Sequence, residues 1–233
     1  MKSVISPRVL DMFPEYTRGV VIAKNIDNRG ESQELIDALR QEEAKAVKDP
    51  SLVDIKAHPR IANWRQAYLK FGSNPNKYYP SVESLCRRAR RGDQLPYVNT
   101  AVALFNYFSL KHVVPSGADD LGSVKGRLLL TIAKGDELFT PFNSTTTESP
   151  DPGEVIYFDG SIVMCRRWNW RQGDQTKLTP ATSSIAINVD CLPPVTPEEA
   201  QALTIELADL VRRFCHGDVS YGLLNKQQSE IEL

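Results

Sequence analysis

The densest collection of chemically capable side chains in this sequence is Cys165-Arg166-Arg167-Trp168-Asn169-Trp170-Arg171-Gln172-Gly173-Asp174, which runs on to Thr179. Two of the three tryptophans stand within three residues, interleaved with three arginines. Flat aromatic faces, guanidinium planes and amide donors gathered in one turn suit stacking on a base or ring and holding a phosphate or carboxylate. Trp168, Asn169, Trp170 and Arg171 are therefore candidate ligand-binding residues, and Arg166 and Arg167 candidate phosphate contacts. The competing reading is a strand end with Arg–Asp pairs and packed indoles.

Three further groups carry potential chemistry. Leu95-Pro96-Tyr97-Val98-Asn99-Thr100 leads into an apolar stretch, and Asn99 suits the N-cap of a helix. Free N–H groups at such a start attract anions or carbonyl oxygens, although a capping Asn is also an ordinary structural residue. Arg87, Arg88, Arg90 and Arg91, at helical spacing, spread over more than half of a helix circumference. They form either a solvated face or a contact for a phosphate backbone. Tyr68-x-x-Phe71-Gly72, Pro75, Tyr78-Tyr79 and Pro80-Ser81 make a rigid wall that pins a loop or lines a ligand. No G-x-S-x-G, Gly-rich phosphate loop or H-E-x-x-H occurs, so a Ser–His–Asp hydrolase has no support. Four cysteines and three histidines stand scattered without a C-x-x-C pair, so neither a metal nor another cofactor is expected and reduced thiols are.

Elements must position these residues. Gly19 to Ala23 is a β-branched run that reads as a buried strand. Amphipathic helices are expected over Ser32–Val47, Pro59–Leu69 and Ser81–Arg91. Asn99–His112 is apolar on several faces, which predicts a nearly solvent-free central helix. Strands are expected over Arg127–Ala133, Glu154–Phe158, Ser161–Arg166 and Ser183–Cys191, with a hairpin turn at Asp159-Gly160. Thr196 caps a last helix that begins at Pro197 and is stopped by Gly217. Phe139–Gly153 is a polar loop long enough to act as a lid, and the tail beyond Gly217 is expected to be poorly ordered. Strands segregated from helices argue an α+β fold with a mixed β-sheet core. The expected division is 1–58, an N-terminal strand and helix packed on the core; 59–217, the main domain; and 218–233, a tail. Together they make one globular unit. With 28 basic against 29 acidic residues, any nucleic-acid contact must come from a local patch. The absence of a signal-like or membrane-length apolar run points to a cytoplasmic protein with no membrane contact.

Taken together, residues 95–121, Lys134–Glu137, Pro152–Asp159 and Cys165–Thr182 resemble the editing and tRNA-binding domain in the beta subunit of bacterial phenylalanyl-tRNA synthetase, over residues 60 to 215. In the synthetase that domain hydrolyses tyrosine wrongly attached to the phenylalanine tRNA. The resemblance implies a pocket between the start of the apolar helix and the strand-end loop, with Asn99, Thr100 and Asn106 on the family's stretch. Where the family has Pro-Leu-His-Ala, this chain has Pro115-Ser116-Gly117-Ala118 and lacks the His; Trp168–Arg171 replaces a Gly-Gly turn. The chain carries none of the aminoacylation motifs of a ligase. The implied function is hydrolysis of mischarged aminoacyl-tRNA in trans, with Asn99 and Thr100 as catalytic residues. Trp168, Asn169, Trp170, Arg171 and Ser116 would hold the ligand, and Arg87, Arg88, Arg90, Arg91, Arg166 and Arg167 the RNA. The alternative is a non-catalytic module for tRNA or an amino-acid-like small ligand.

Overall fold

A strand that is covered on both faces reads as a continuous apolar run, because neither side meets water. That is the situation of β2 (Thr17–Lys24), buried from Thr17 through Ala23. In the computed structural model, which describes residues 1–233, β2 lies inside a four-stranded antiparallel sheet. Its order is β3 (Ser116–Asp120), β8 (Ser184–Cys191), β2, β9 (Asp218–Leu224). A second sheet orders β10 (Glu230–Glu232), β1 (Lys2–Ile5), β4 (Leu128–Ile132), β5 (Val155–Phe158), β6 (Val163–Arg166) and β7 (Arg171–Gln172). Its β1–β4 pairing is parallel and the rest antiparallel, so the sheet is mixed.

The helices are α1 (Pro7–Met12), α2 (Gln33–Lys48), α3 (Pro59–Lys70), α4 (Ser81–Arg90), α5 (Thr100–His112) and α6 (Pro197–Phe214). Ile185, Ile187 and Val189 of β8 share one apolar core with Leu104 and Phe108 of α5 and Leu203, Leu207 and Val211 of α6. The opposite face of that sheet, with Val20, Ile22 and Ala186, shares a second core with Leu128, Leu130 and Tyr157 of the six-stranded sheet and Trp64 and Tyr68 of α3. Helices α5 and α6 cover one face of the four-stranded sheet, and its other face meets the six-stranded sheet together with α1, α3 and α4. The architecture is α+β.

Two local expectations need correction. The segment beyond Gly217 is not ragged: β9 pairs with β2 over seven residues and β10 with β1 over three. Its half-exposed, Gly-containing sequence hides edge strands whose order comes from their partners. β3, Ser-Gly-Ala-Asp-Asp, has no strand propensity of its own and is held by β8. The α5 helix is not solvent-free all round, since Val102, Phe105 and Asn106 are only half-buried. The segments 1–58 and 218–233 both supply strands to both sheets.

Candidate functional site

The half-buried side of α5 faces a cavity of about 470 Å³. Its apolar walls include Phe105 and Val102 from α5, Leu85 from α4, Tyr157 from β5 and Trp170 from the β6–β7 turn. Its polar lining comes from the inner face of the four-stranded sheet and from that turn. Asn188 and Asp190 alternate with Val189 along β8 and so share one face. Asn188 stands opposite Gly117 and Ala186 opposite Asp119 on β3, which sets Asn188 between the two acids.

Several polar atoms here have no protein partner. Ser116 Oγ, Asn188 Oδ1, Asn169 Nδ2 and Trp168 Nε1 are buried without a hydrogen bond, and all four residues line the cavity. An unmet buried polar group costs about 1–3 kcal/mol, and native structures hold few of them. Four around one space leave it able to take hydrogen bonds from water or from a polar group.

The carboxylates are supported differently. Asp190 Oδ1 accepts hydrogen bonds from Tyr16 Oη and from Tyr157 Oη at 2.8 Å. Asp119 Oδ1 accepts from Thr176 Oγ1 at 2.6 Å and Gln172 Nε2 at 2.8 Å. Burial pushes both carboxyls above the usual carboxylate range, and these hydrogen bonds oppose it only in part. Burial also raises the Cys165 thiol well above its ordinary value, so this cavity-lining sulfur is a thiol and not a thiolate nucleophile. At the cavity wall stand Arg88, which has no ionic partner, and Lys177, paired with Asp174 at 2.7 Å. No group of three or more His, Cys, Asp and Glu is arranged to hold a metal ion.

The Trp-rich turn is built unlike the sequence expectation. Arg167 and Trp168 both hold left-handed backbone, with φ of 45° and 65°, a conformation that costs a non-glycine residue about 1 kcal/mol or more. Packing enforces it. The Trp168 ring is completely buried, with Phe13 and Tyr16 each at 4.8 Å and Trp64 at 5.0 Å between ring centroids. It is a core residue that offers the cavity an edge, and Trp170, stacked edge-on against Tyr78 at 4.7 Å, supplies the wall. Asn169 Oδ1 accepts from Tyr68 Oη at 2.9 Å and Ser81 N at 3.3 Å, which ties the turn to α3 and the start of α4.

The arginines beside it are structural. Arg166 bonds Glu154 at 2.5 Å and Glu148 at 2.7 Å, and Arg167 bonds Asp151 at 2.8 Å and Glu154 at 2.7 Å. The Arg167 guanidinium also lies 3.6 Å from the Tyr78 ring centroid. Both are buried, so neither is available to a phosphate. Arg87 is held by Glu83 at 2.7 Å, Arg90 by the Val47 carbonyl and Arg91 by Asp93 at 2.8 Å. Of the four-arginine cluster, only Arg88 reaches the cavity. Arg171 is exposed, 5.7 Å from the Trp170 centroid, and does not line it.

Asn99 and Thr100 also stand apart. Asn99 Oδ1 caps α5 by accepting from Val102 N at 3.0 Å, and its Nδ2 donates to the Leu178 carbonyl. Asn28 Oδ1 takes Ala101 N at 2.9 Å, and Thr100 Oγ1 bonds Tyr97 Oη at 3.0 Å. The helix start therefore has its first donors answered from within and offers no anion site. Asn99 lines a smaller cavity of about 240 Å³, and Val98 lines both. Sequence reasoning missed Asn188, Asp190 and Asp119. The available signal was two polar residues in phase within an otherwise apolar strand, since an inward polar pair on a covered strand needs a partner.

The sequence model of the B3/4 domain matches residues 63–217, more than half of the chain. No curated protein sequence matches. Among solved structures, an N-terminal fragment of the phenylalanyl-tRNA synthetase beta-subunit from Pyrococcus horikoshii is similar, with 11% identity and a TM-score of 0.46. The similarity covers 97% of this chain and 52% of that one, so this chain spans about half its length.

Proposed function

This chain belongs to the B3/4 domain family, and from that premise we propose that its cavity receives the aminoacyl group of a mischarged aminoacyl-tRNA and hydrolyses the ester in trans. The observation that carries this reading is the set of unanswered polar atoms, Ser116 Oγ, Asn188 Oδ1, Asn169 Nδ2 and Trp168 Nε1, inside an aromatic-walled space. An aminoacyl ester is already activated, so catalysis reduces to orienting a water and stabilising the developing oxyanion. Asn188 Oδ1 is an acceptor suited to orienting the water, and Asn169 Nδ2 and Ser116 Oγ are donors for the oxyanion. Arg88 and Lys177 are the cations best situated for the phosphates of the terminal nucleotides.

The test is a panel of misacylated tRNAs assayed for release of the amino acid. At least one should be deacylated, and Ser116→Ala or Asn188→Ala should slow that reaction by roughly 10²-fold, the usual effect of losing one oxyanion or orienting group. No turnover across the panel refutes hydrolysis. A second reading, a binding module for a small amino-acid-like ligand, is favoured by one observation: Arg166 and Arg167 are consumed by carboxylates, which leaves few cations for RNA. Tryptophan fluorescence separates the two, because quenching by free amino acids without tRNA supports the module.

A further inference from the structure

The floor of the cavity carries a charge its surroundings do not balance. Asp119, Asp190 and Arg18 are the ionisable groups buried on the inner face of the four-stranded sheet at this point, and with both carboxyls ionised they sum to one excess negative charge. Arg18 is Asp190's cross-strand partner and its guanidinium bonds Ser3. The remaining groups around Asp190 are Tyr16, Tyr157, Asn169 and Cys165, and around Asp119 they are Thr176, Gln172, Cys165 and Asp159. None of these supplies a cation. The nearby Arg166 and Arg167 are already answered by Glu148, Asp151 and Glu154.

One acceptor there also goes unmet, although Arg18 Nε and Nη1 on the same face are donors without a partner. Asn188 Oδ1 has no donor at all, although Asn188 is 5% exposed. Asp119 and Asp190 each receive both of their side-chain bonds at Oδ1. An ammonium group carries three donors, no acceptor and one positive charge, so it supplies both the donor that Asn188 Oδ1 lacks and a charge opposite to that of the two acids. At ~3.3 Å per residue, Asn188 lies about 7 Å from the strand level of each acid, so a cation beside it feels both.

We propose that the floor around Asn188, between Asp119 and Asp190, is the seat for a primary ammonium group, so that the site takes amines with an apolar body and an unblocked amino end. The proposal deepens the reading of the cavity as an aminoacyl site and rests on it only for the location. It turns the ligand's amino group inward to one lone pair of Asn188 Oδ1, leaves the other lone pair for the water and the ester for the donors Asn169 and Ser116, and sets any phosphate toward Arg88 and Lys177. It also says that N-acylated amino acids and carboxylates are rejected.

Three probes that share a phenethyl body test this in the full chain: phenethylamine, 3-phenylpropanamide and 3-phenylpropanoate, followed by tryptophan fluorescence and calorimetry. Phenethylamine should bind at least roughly tenfold more tightly than the neutral amide, with no saturable binding of the anion. Asp190→Asn and Asp119→Asn should each reduce that preference by roughly tenfold, and Asn188→Asp should increase it. Circular dichroism melts show whether each variant is folded, and the wild-type series decides the matter even where one is not. Binding of the anion as tight as that of the amine, no binding of any probe, or a preference unchanged in both Asp variants overturns the proposal. These probes contain no ester, so a chain that fails to deacylate tRNA still passes or fails this test by itself.

Discussion

Gly19, in the middle of β2, sits under α6, and its replacement by alanine measures how tightly that helix is seated. A Cβ built there overlaps Thr204 Oγ1 outright and lies 3.0 Å from Thr204 Cβ and 3.1 Å from Cγ2. Thr204 has no easy escape, because its hydroxyl donates to the Ala200 carbonyl at 2.6 Å and the residue is completely buried. Turning the hydroxyl away still leaves two carbon contacts short of the normal 3.5–4.0 Å, so α6 must retreat by about half an ångström or more. That retreat loosens Leu203, Leu207 and Val211 together. Alanine in a strand interior would otherwise gain about 0.5–1 kcal/mol over glycine. The overpacking term of about 1–3 kcal/mol sets the sign, and the net expectation is a loss of roughly 1–2 kcal/mol. Urea unfolding followed by tryptophan fluorescence gives the value. Adding Thr204→Ala removes the Oγ1 and Cγ2 clashes and should recover more than half of the loss. Wild-type stability in Gly19→Ala, or no recovery in the double variant, would refute the close seating of α6 on β2.

Two neighbouring phenylalanines of α5 should behave oppositely: Phe108→Ala, fully buried, should cost ~3–5 kcal/mol, and Phe105→Ala, on the cavity wall, about 1 kcal/mol. Denaturant midpoints of the pair check this, and equal losses would contradict an open space beside Phe105. Burial raises the folded-state carboxyls of Asp119 and Asp190, so the stability they contribute is complete below the unfolded carboxyl range and is lost as pH rises through the raised values. Asp190→Asn should therefore match wild type at low pH and exceed it in melting temperature toward neutrality. A variant that falls behind as pH rises contradicts that sign.

The helices from α2 onward were legible because each carries a local signature, whereas the short α1 was not anticipated. Thr196 followed by Pro197, Asn99 before an apolar run and the amphipathic spacing of residues 33–48 all correspond to observed helices. The hairpin at Asp159-Gly160 was legible for the same reason, and Asp159 Oδ1 indeed accepts from Ser161 N and Ile162 N. β3, β9 and β10 were not, since their sequences are polar or very short and their order comes from distant partners. The site was half legible. Ser116, Asn169 and Trp170 line the cavity, and so does an edge of Trp168. Arg166 and Arg167 misled because a sequence shows a charge without showing Glu148, Asp151 and Glu154 folding back onto it. Asn99 misled because a cap and an anion site present the same residue type, and only the Asn28 contact to Ala101 N separates them.

The two ends of the chain meet in space: Leu233 N donates to the Met1 carbonyl at 2.8 Å, and β2 lies between β8 and β9. This arrangement has a consequence for the order of events during synthesis. Strand β2 of the four-stranded sheet leaves the ribosome well before its two neighbours, which come from residues 184–191 and 218–224. Until then β2 is an apolar strand with two unsatisfied edges, the kind of segment that aggregates or needs a chaperone. Contacts of such long sequence separation also close slowly. The nascent chain should thus be most vulnerable after β2 has emerged and before β9 has, and the cavity beside α5, lined by β8, cannot be completed until that interval is nearly over.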